Sequence, residues 1–367
     1  MKTNILIPLL TLASIVSATD FNVHGEVKLY GDGYYKQQDP RFGIDNTNDP
    51  DLIHTYTSTF KLAFQTIFNE HWNAIAKINA DAEGSSPRFL YDGAYLQYTK
   101  NKMLNYRIGD LTYSEGKFKY YDYDDTGKFA AGLRDRNIRG AEINFWDMSL
   151  GAGFKRGLVA FEDNGFEVIE EDSRSYIIHF AANIPFSTHL FRSYINYESN
   201  QASESNSLRS GMVLHLNFAP YFNLQAVHAS YTDKLRKKYP RFSQAITVEP
   251  ELNLGMMNLK GTFYYAFLHD NLEKATPIEV PEYMFAYLEP GFSFSKKFSL
   301  GLPVEYHTMS LNDDDNLEQI FVGPRFYLTP AERLSIKSFV RMGFPIGDDY
   351  QENEMHIGTE VEVAFHF

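Results

Sequence analysis

Acidic and aromatic side chains are densely mixed in the segment from Lys117 to Asn137, KFKYYDYDDTGKFAAGLRDRN. Carboxylates held close together create a negative field, and tyrosine rings offer flat apolar faces that end in a hydroxyl. The segment is therefore a candidate for selecting or binding polar solutes. Its candidate side chains are Tyr120, Tyr121, Asp122, Tyr123, Asp124 and Asp125.

Motifs for catalysis do not appear elsewhere in the chain. There is no G-x-S-x-G stretch, and none of the 11 histidines falls in an H-E-x-x-H spacing. The run Asp313 to Asp315 could offer oxygen ligands to calcium, but it lacks the spaced ligands and the glycine of a calcium loop, so a solvated loop is the favoured interpretation. We predict no enzyme activity, no metal and no cofactor.

Composition limits the class of protein. With 34 Lys and Arg against 47 Asp and Glu, the chain lacks the basic surface of a nucleic-acid-binding protein. The stretch Met1 to Ala18 has a lysine, an apolar run and small residues at its end, which predicts a signal peptide cleaved after Ala18. No other apolar run approaches the roughly 18 residues that a membrane helix needs. We expect a single exported domain over residues 19–367, built without cysteine.

The elements that must position the candidate side chains are predicted to be strands. Apolar residues recur at every second position, as in Tyr176, Ile178 and Phe180, with polar residues such as His179 between them. This period of two is typical of a sheet with one apolar and one polar face, and no helical stripe of comparable length appears.

Connections of two lengths alternate along the chain. Short turns such as NEH, WDM and SKK are separated by long polar stretches such as YKQQDPRFGIDNTNDPD and DNLEKATPIEV. Tight turns at one end and long loops at the other are typical of a transmembrane β-barrel, whereas a soluble sandwich gives no reason for this sorting. The pattern predicts an all-β, antiparallel up-and-down barrel of about 16–18 strands. Pro250, Pro290, Pro303 and Pro324 fall inside predicted strands, where we expect bulges or irregular pairing.

The last seven residues, VEVAFHF, resemble the C-terminal assembly signal of Gram-negative outer-membrane proteins. The matching positions are Val361, Val363, Phe365 and Phe367. The resemblance implies a porin-like protein of the outer membrane, with outer-membrane lipid, lipopolysaccharide and the barrel-assembly machinery as partners. It also allows a homotrimer, as many porins form.

In general porins the third long loop folds into the barrel and presents carboxylates to a basic wall. The Lys117–Asn137 segment resembles that loop in position and acidity, although the Pro-Glu-Phe-Gly-Gly motif of enteric porins is absent. The resemblance implies that Asp122, Asp124 and Asp125 narrow the pore. Residues expected on the basic side are Arg107, Arg139, Arg209, Arg325, Lys337 and Arg341, each of which could equally be an ordinary solvated charge.

Three functions remain open at this point. The first is a porin for passive diffusion of small hydrophilic solutes. The second is a saccharide-selective porin, in which Tyr120, Tyr121 and Tyr123 line the path or else only pack the loop against the wall. The third is a non-conducting barrel that serves as an anchor or adhesive surface.

Overall fold

The structure of the protein is a computed structural model. It describes residues 20–35, 52–83, 86–101, 103–114, 118–121, 135–155, 159–162, 165–168, 175–200, 205–233, 235, 241–269, 282–310, 316–346 and 356–367. The expected signal peptide, Met1 to Ala18, and the Asp313–Asp315 run lie outside these residues.

The described residues form strands that hydrogen-bond into one antiparallel sheet. Their bounds are β1 (Asp20–Tyr35), β2 (Leu52–Ile67), β3 (Trp72–Glu83), β4 (Ser86–Asn101), β5 (Leu104–Ser114), β6 (Asp135–Phe145), β7 (Met148–Lys155), β8 (Val159–Glu162), β9 (Gly165–Val168), β10 (Ser175–Phe186), β11 (His189–Asn200), β12 (Ser205–Phe218), β13 (Phe222–Asp233), β14 (Arg241–Leu254), β15 (Met257–His269), β16 (Glu282–Ser295), β17 (Phe298–Gly301), β18 (Val304–Ser310), β19 (Asn316–Val322), β20 (Arg325–Ala331), β21 (Leu334–Ile346) and β22 (His356–His366).

The sheet closes into a barrel because the first and last strands pair. β1 pairs with β22 from Glu26↔His366 to Tyr35↔Ile357, and the N–H of Phe367 donates to the carbonyl of Gly25 at 3.0 Å. β17 with β18, and β19 with β20, are halves of single wall strands, whereas β8 and β9 form a short hairpin that pairs with β4. The wall therefore has 18 strands, which confirms the predicted barrel and selects the larger of the two predicted strand numbers.

Side chains alternate between the two faces of the wall. On β10, Ile177 and Ala181 are fully buried, whereas Ile178 and Phe180 are 45% and 38% exposed. Val361, Phe365 and Phe367 near the C-terminus are likewise exposed on the outer face. An apolar outer face with a polar interior is the arrangement that a barrel surrounded by lipid requires, since lipid offers no hydrogen bonds.

Short turns connect the strands at the end of the barrel that holds Asp20 and Phe367. The predicted short connections, including NEH, WDM and SKK, all join neighbouring wall strands at this end. Trp72, Trp146, Phe186 and Tyr221 are exposed there, as expected of an aromatic belt at a membrane surface. Tyr327, close to the same turns, does not join this belt, since its hydroxyl bonds Glu289 in the interior.

Proline interrupts the strand pairing in one part of the wall, which we call the proline sector. Pro250 and Pro290 lie in β14 and β16, while Pro303 and Pro324 separate β17 from β18 and β19 from β20. In the β14–β15 ladder the pairing passes from Val248↔Phe263 to Glu251↔Lys260 without the intervening residues. The expected irregularity is confirmed, and its cause is the missing N–H of proline.

No helix within the described part of the chain has the length and apolar character needed to span a membrane.

Candidate functional site

The segment after β5 lies against the inner face of the wall. Its described residues are Phe118, Lys119, Tyr120 and Tyr121, which we call the docked segment. The backbone N–H of Lys119 donates to both carboxylate oxygens of Glu249, at 2.8 and 2.9 Å, and the N–H of Tyr120 donates to Glu249 Oε1 at 3.2 Å. The backbone of the segment therefore binds directly to a carboxylate of β14.

The tyrosine hydroxyls extend these contacts to two further carboxylates. Tyr120 donates to Glu251 at 2.7 Å, and Tyr121 donates to Glu305 at 3.3 Å. Burial and the hydrogen bond to Glu251 raise the pKa of Tyr120, so its phenol remains a protonated donor.

Aromatic rings of the docked segment also pack against rings of the wall. Phe118 meets Tyr264 and Phe285 edge to face, with ring centroids 5.4 Å apart in both pairs. The ring of Tyr121 lies 4.4 Å from that of Phe285, and Tyr121 is 5% exposed. These rings form one buried cluster that joins the docked segment to β15 and β16. Such aromatic pairs contribute about 0.5–1.5 kcal/mol each beyond the area that they bury.

Arginines neutralise the neighbouring carboxylates of the proline sector. Arg325 lies 3.4 Å from Glu289, which also accepts a hydrogen bond from Tyr327 at 2.7 Å. Arg341 donates to Glu305 at 2.6 Å. Glu289, Glu305 and Arg325 are almost fully buried, so each charge needs its partner in place.

The structure places some of the predicted loop residues on the inner wall. Tyr120 and Tyr121 contact the wall as described above, whereas Asp122, Tyr123, Asp124 and Asp125 lie outside the described residues.

Five of the six predicted basic residues lie on the inner face. Arg107 donates from Nε to Glu142 at 2.9 Å, and Lys337 lies 3.5 Å from Glu362. The guanidinium of Arg209 lies 4.3 Å from the ring centroid of Tyr231. Arg325 and Arg341 are paired with glutamates of the proline sector. The wall is thus built of paired charges, with cations and carboxylates on neighbouring strands.

Arg139 does not line the interior. It bonds Asp110 at 2.8 Å and has a side chain that is 63% exposed, while Ile138 beside it is fully buried. Ile108, on the same face as Asp110, is 59% exposed to the outside. The expectation that Arg139 faces the pore is wrong, because the strand alternation places it on the outer face of the barrel.

Sequence reasoning missed the carboxylates that receive the docked segment. Glu249 precedes Pro250, Glu251 follows it, and Glu305 follows Pro303 by two positions. An acidic residue on the polar face beside a strand proline was the available signal. The prolines alone predict irregular strand pairing, and they do not predict a role for the acidic residues beside them.

A second polar surface lies on the inner face of β1–β4. A recess of about 300 Å³ is lined there by His24, Glu26, Lys61, Lys77, Asn79 and Asp92. Glu26 lies within 3.8 Å of both Lys28 and Lys61. Polar side chains therefore line the interior away from the proline sector as well.

Comparison with known proteins gives matches by structure only. No family model and no curated protein matches the sequence. The structure resembles OpdQ of Pseudomonas aeruginosa, with a TM-score of 0.55 and 10% identity over 96% of this chain and 98% of that one. OccK9 (OpdG) of the same organism gives a TM-score of 0.62 and 9% identity over 96% and 99%. OccAB3 of Acinetobacter baumannii gives 0.58 and 10% over 94% and 99%.

At this level of identity the likeness concerns the fold, and it extends over nearly the whole length of both chains in each comparison. The chain is a closed, 18-stranded antiparallel β-barrel, and these solved structures share its fold.

Proposed function

We propose that the protein is an outer-membrane channel through which small hydrophilic solutes diffuse passively, and that the loop between β5 and β6 narrows its passage. The observation that carries this proposal is the contact of the docked segment with Glu249, Glu251 and Glu305 on the inner wall. A barrel of 16–18 strands encloses an aqueous channel unless something fills it. A loop that begins on the inner wall reduces the free cross-section.

The loop continues from the docked segment through residues 122–134. We assign Asp122, Asp124 and Asp125 to the narrow part of the passage, across from the basic side chains of the inner wall. Opposed charges across a narrow passage create a transverse field that orders water and favours polar solutes over apolar ones.

The docked tyrosines favour general diffusion over a path for sugars. Tyr121 is buried in the aromatic cluster, and the Tyr120 hydroxyl is engaged by Glu251. Both side chains hold the loop against the wall, so the buried Tyr121 offers no ring face to a passing saccharide and the half-buried Tyr120 offers only part of one.

The experiment is a size series of uncharged solutes in liposome swelling, comparing the wild type with a variant in which a short Gly-Ser linker replaces residues 122–134. This variant keeps the docked segment and all strands. We expect the wild type to pass small solutes and the shortened variant to admit larger ones. The same size limit in both proteins would remove the loop from the passage, and no swelling with folded wild type would contradict the channel.

A further inference from the structure

We infer that Glu249 is the positioning residue that holds the loop on the wall, and that its charge is balanced by backbone amides of the loop. This inference rests on the proposed function and adds the residue that fixes the constriction in place. It starts from the burial of Glu249, whose exposed fraction is zero.

Four donor groups surround this carboxylate. Gln225 donates to Oε2 at 2.9 Å and Thr262 donates to Oε1 at 3.0 Å, both from neighbouring strands of the wall. The other two donors are the N–H groups of Lys119 and Tyr120. Half of the donor groups thus belong to the loop, and they would be withdrawn if the loop left the wall.

Glu249 differs in this respect from the other buried glutamates of the interior. Glu142, Glu289 and Glu305 each lie beside an arginine. Within the described part of the chain, no lysine or arginine approaches Glu249 to ion-pair distance, and the amides of the docked segment take that place. Backbone amides bind a carboxylate through charge-assisted hydrogen bonds, which are stronger than hydrogen bonds between neutral groups.

Strand alternation directs the Glu249 carboxylate into the interior, beside a gap in the pairing of β14 with β15. The β14–β15 ladder lacks pairs at Glu249 and Pro250, and Thr262 opposite donates its hydroxyl to the carboxylate. The wall and the loop are therefore mutually dependent at this point, since a buried charge without its donors is costly. Loss of the Glu249 charge should release the loop and leave the barrel closed.

The chain has no cysteine, so a single introduced thiol reports on one position. The test introduces Tyr120→Cys into the wild-type background and into Glu249→Gln, and measures the rate of labelling by a water-soluble thiol reagent in reconstituted protein. Glutamine keeps the shape but presents an amide group to the loop amides. We expect labelling at least about tenfold faster with E249Q, corresponding to the loss of a hydrogen bond to a charged group.

The matched control is Glu142→Gln, which removes a buried interior charge beside Arg107, on β6 and away from the docked segment. It should leave the labelling rate of Y120C unchanged. Heat-modifiable migration on gels verifies that each variant forms a closed barrel. Should E249Q fail to fold, Glu249→Asp keeps the charge with a shorter reach and should give a smaller increase.

Equal labelling rates in the folded Glu249 variant and the wild-type background would overturn the inference. The outcome is separable from that of the proposed function, because labelling requires no solute flow. If the wild type shows the expected size limit but E249Q does not speed up labelling, the channel stands and the role of Glu249 in holding the loop is rejected. If E249Q speeds up labelling but the wild type gives no swelling, the role of Glu249 stands and the channel is rejected.

Discussion

At the scale of single residues, the interior depends on buried charges that have specific partners. Glu289 and Arg325 are each at most 3% exposed, and the hydroxyl of Tyr327 donates a further hydrogen bond to the Glu289 carboxylate. Removing one member of a buried pair costs more than removing both, because the remaining charge stays buried without compensation.

Arg325→Ala should therefore lower the free energy of unfolding by about 3–5 kcal/mol. The double variant Glu289→Met with Arg325→Met leaves no unpaired charge and should lose much less. Urea titration in lipid vesicles measures both, using the fluorescence of Trp72 and Trp146, the two tryptophans of the chain. A single variant as stable as the wild type, or a double variant less stable than the single one, would show that the pair does not hold this part of the wall.

The sequence predicted the inner face for Arg325 and Arg341 but not their carboxylate partners. Strand alternation assigns a side chain to a face, whereas the register between strands decides which charges meet. The same limit applies to Arg139. Its charge suggested the interior, but its position in β6 places it with Asp110 on the outer face.

At the scale of elements, close approach between neighbouring strands limits which residues the wall tolerates. A Cβ added to Gly140 in β6 would lie 2.1 Å from the carbonyl oxygen of Ala152 in β7. At Gly109, in β5, a positive φ of 130° and the nearby carbonyl of Ala94 add a second such restriction. The sequence showed these glycines, but it did not show the strand separation that requires them.

Gly140→Ala should destabilise the barrel by about 1–3 kcal/mol, since the clash is with backbone and cannot be relieved by rotating a side chain. Gly261→Ala is the matched control, because its Cβ would meet the Pro250 ring and the Tyr287 carbonyl at an ordinary 3.4 Å. The midpoints of urea unfolding for the two variants give the comparison. Equal midpoints would mean that β6 and β7 can separate without cost.

Turn length was the most informative sequence feature at this scale. The short connections mark one end of the barrel. Their number gives the number of wall strands once β17 with β18, and β19 with β20, are each counted as one strand. The proline sector was recognised as irregular, but its role as the surface that receives the loop required the contacts of Tyr120 and Tyr121 with carboxylates on distant strands.

At the scale of the whole molecule, the wall is closed, apolar on its outer face and polar on its inner face. In the channel that we propose, lipid covers the outer face, and water fills the part of the interior that the loop leaves free. The alternative of a filled barrel that serves as an anchor shares the same wall. The two differ only in whether ions pass through the interior.

Single-channel recording of the purified protein in a planar lipid bilayer tests this claim most directly. We expect discrete, uniform steps of current when single copies insert, under salt conditions in which protein-free bilayers remain silent. Protein that inserts as a heat-modifiable, closed barrel and yet gives no current steps would contradict it.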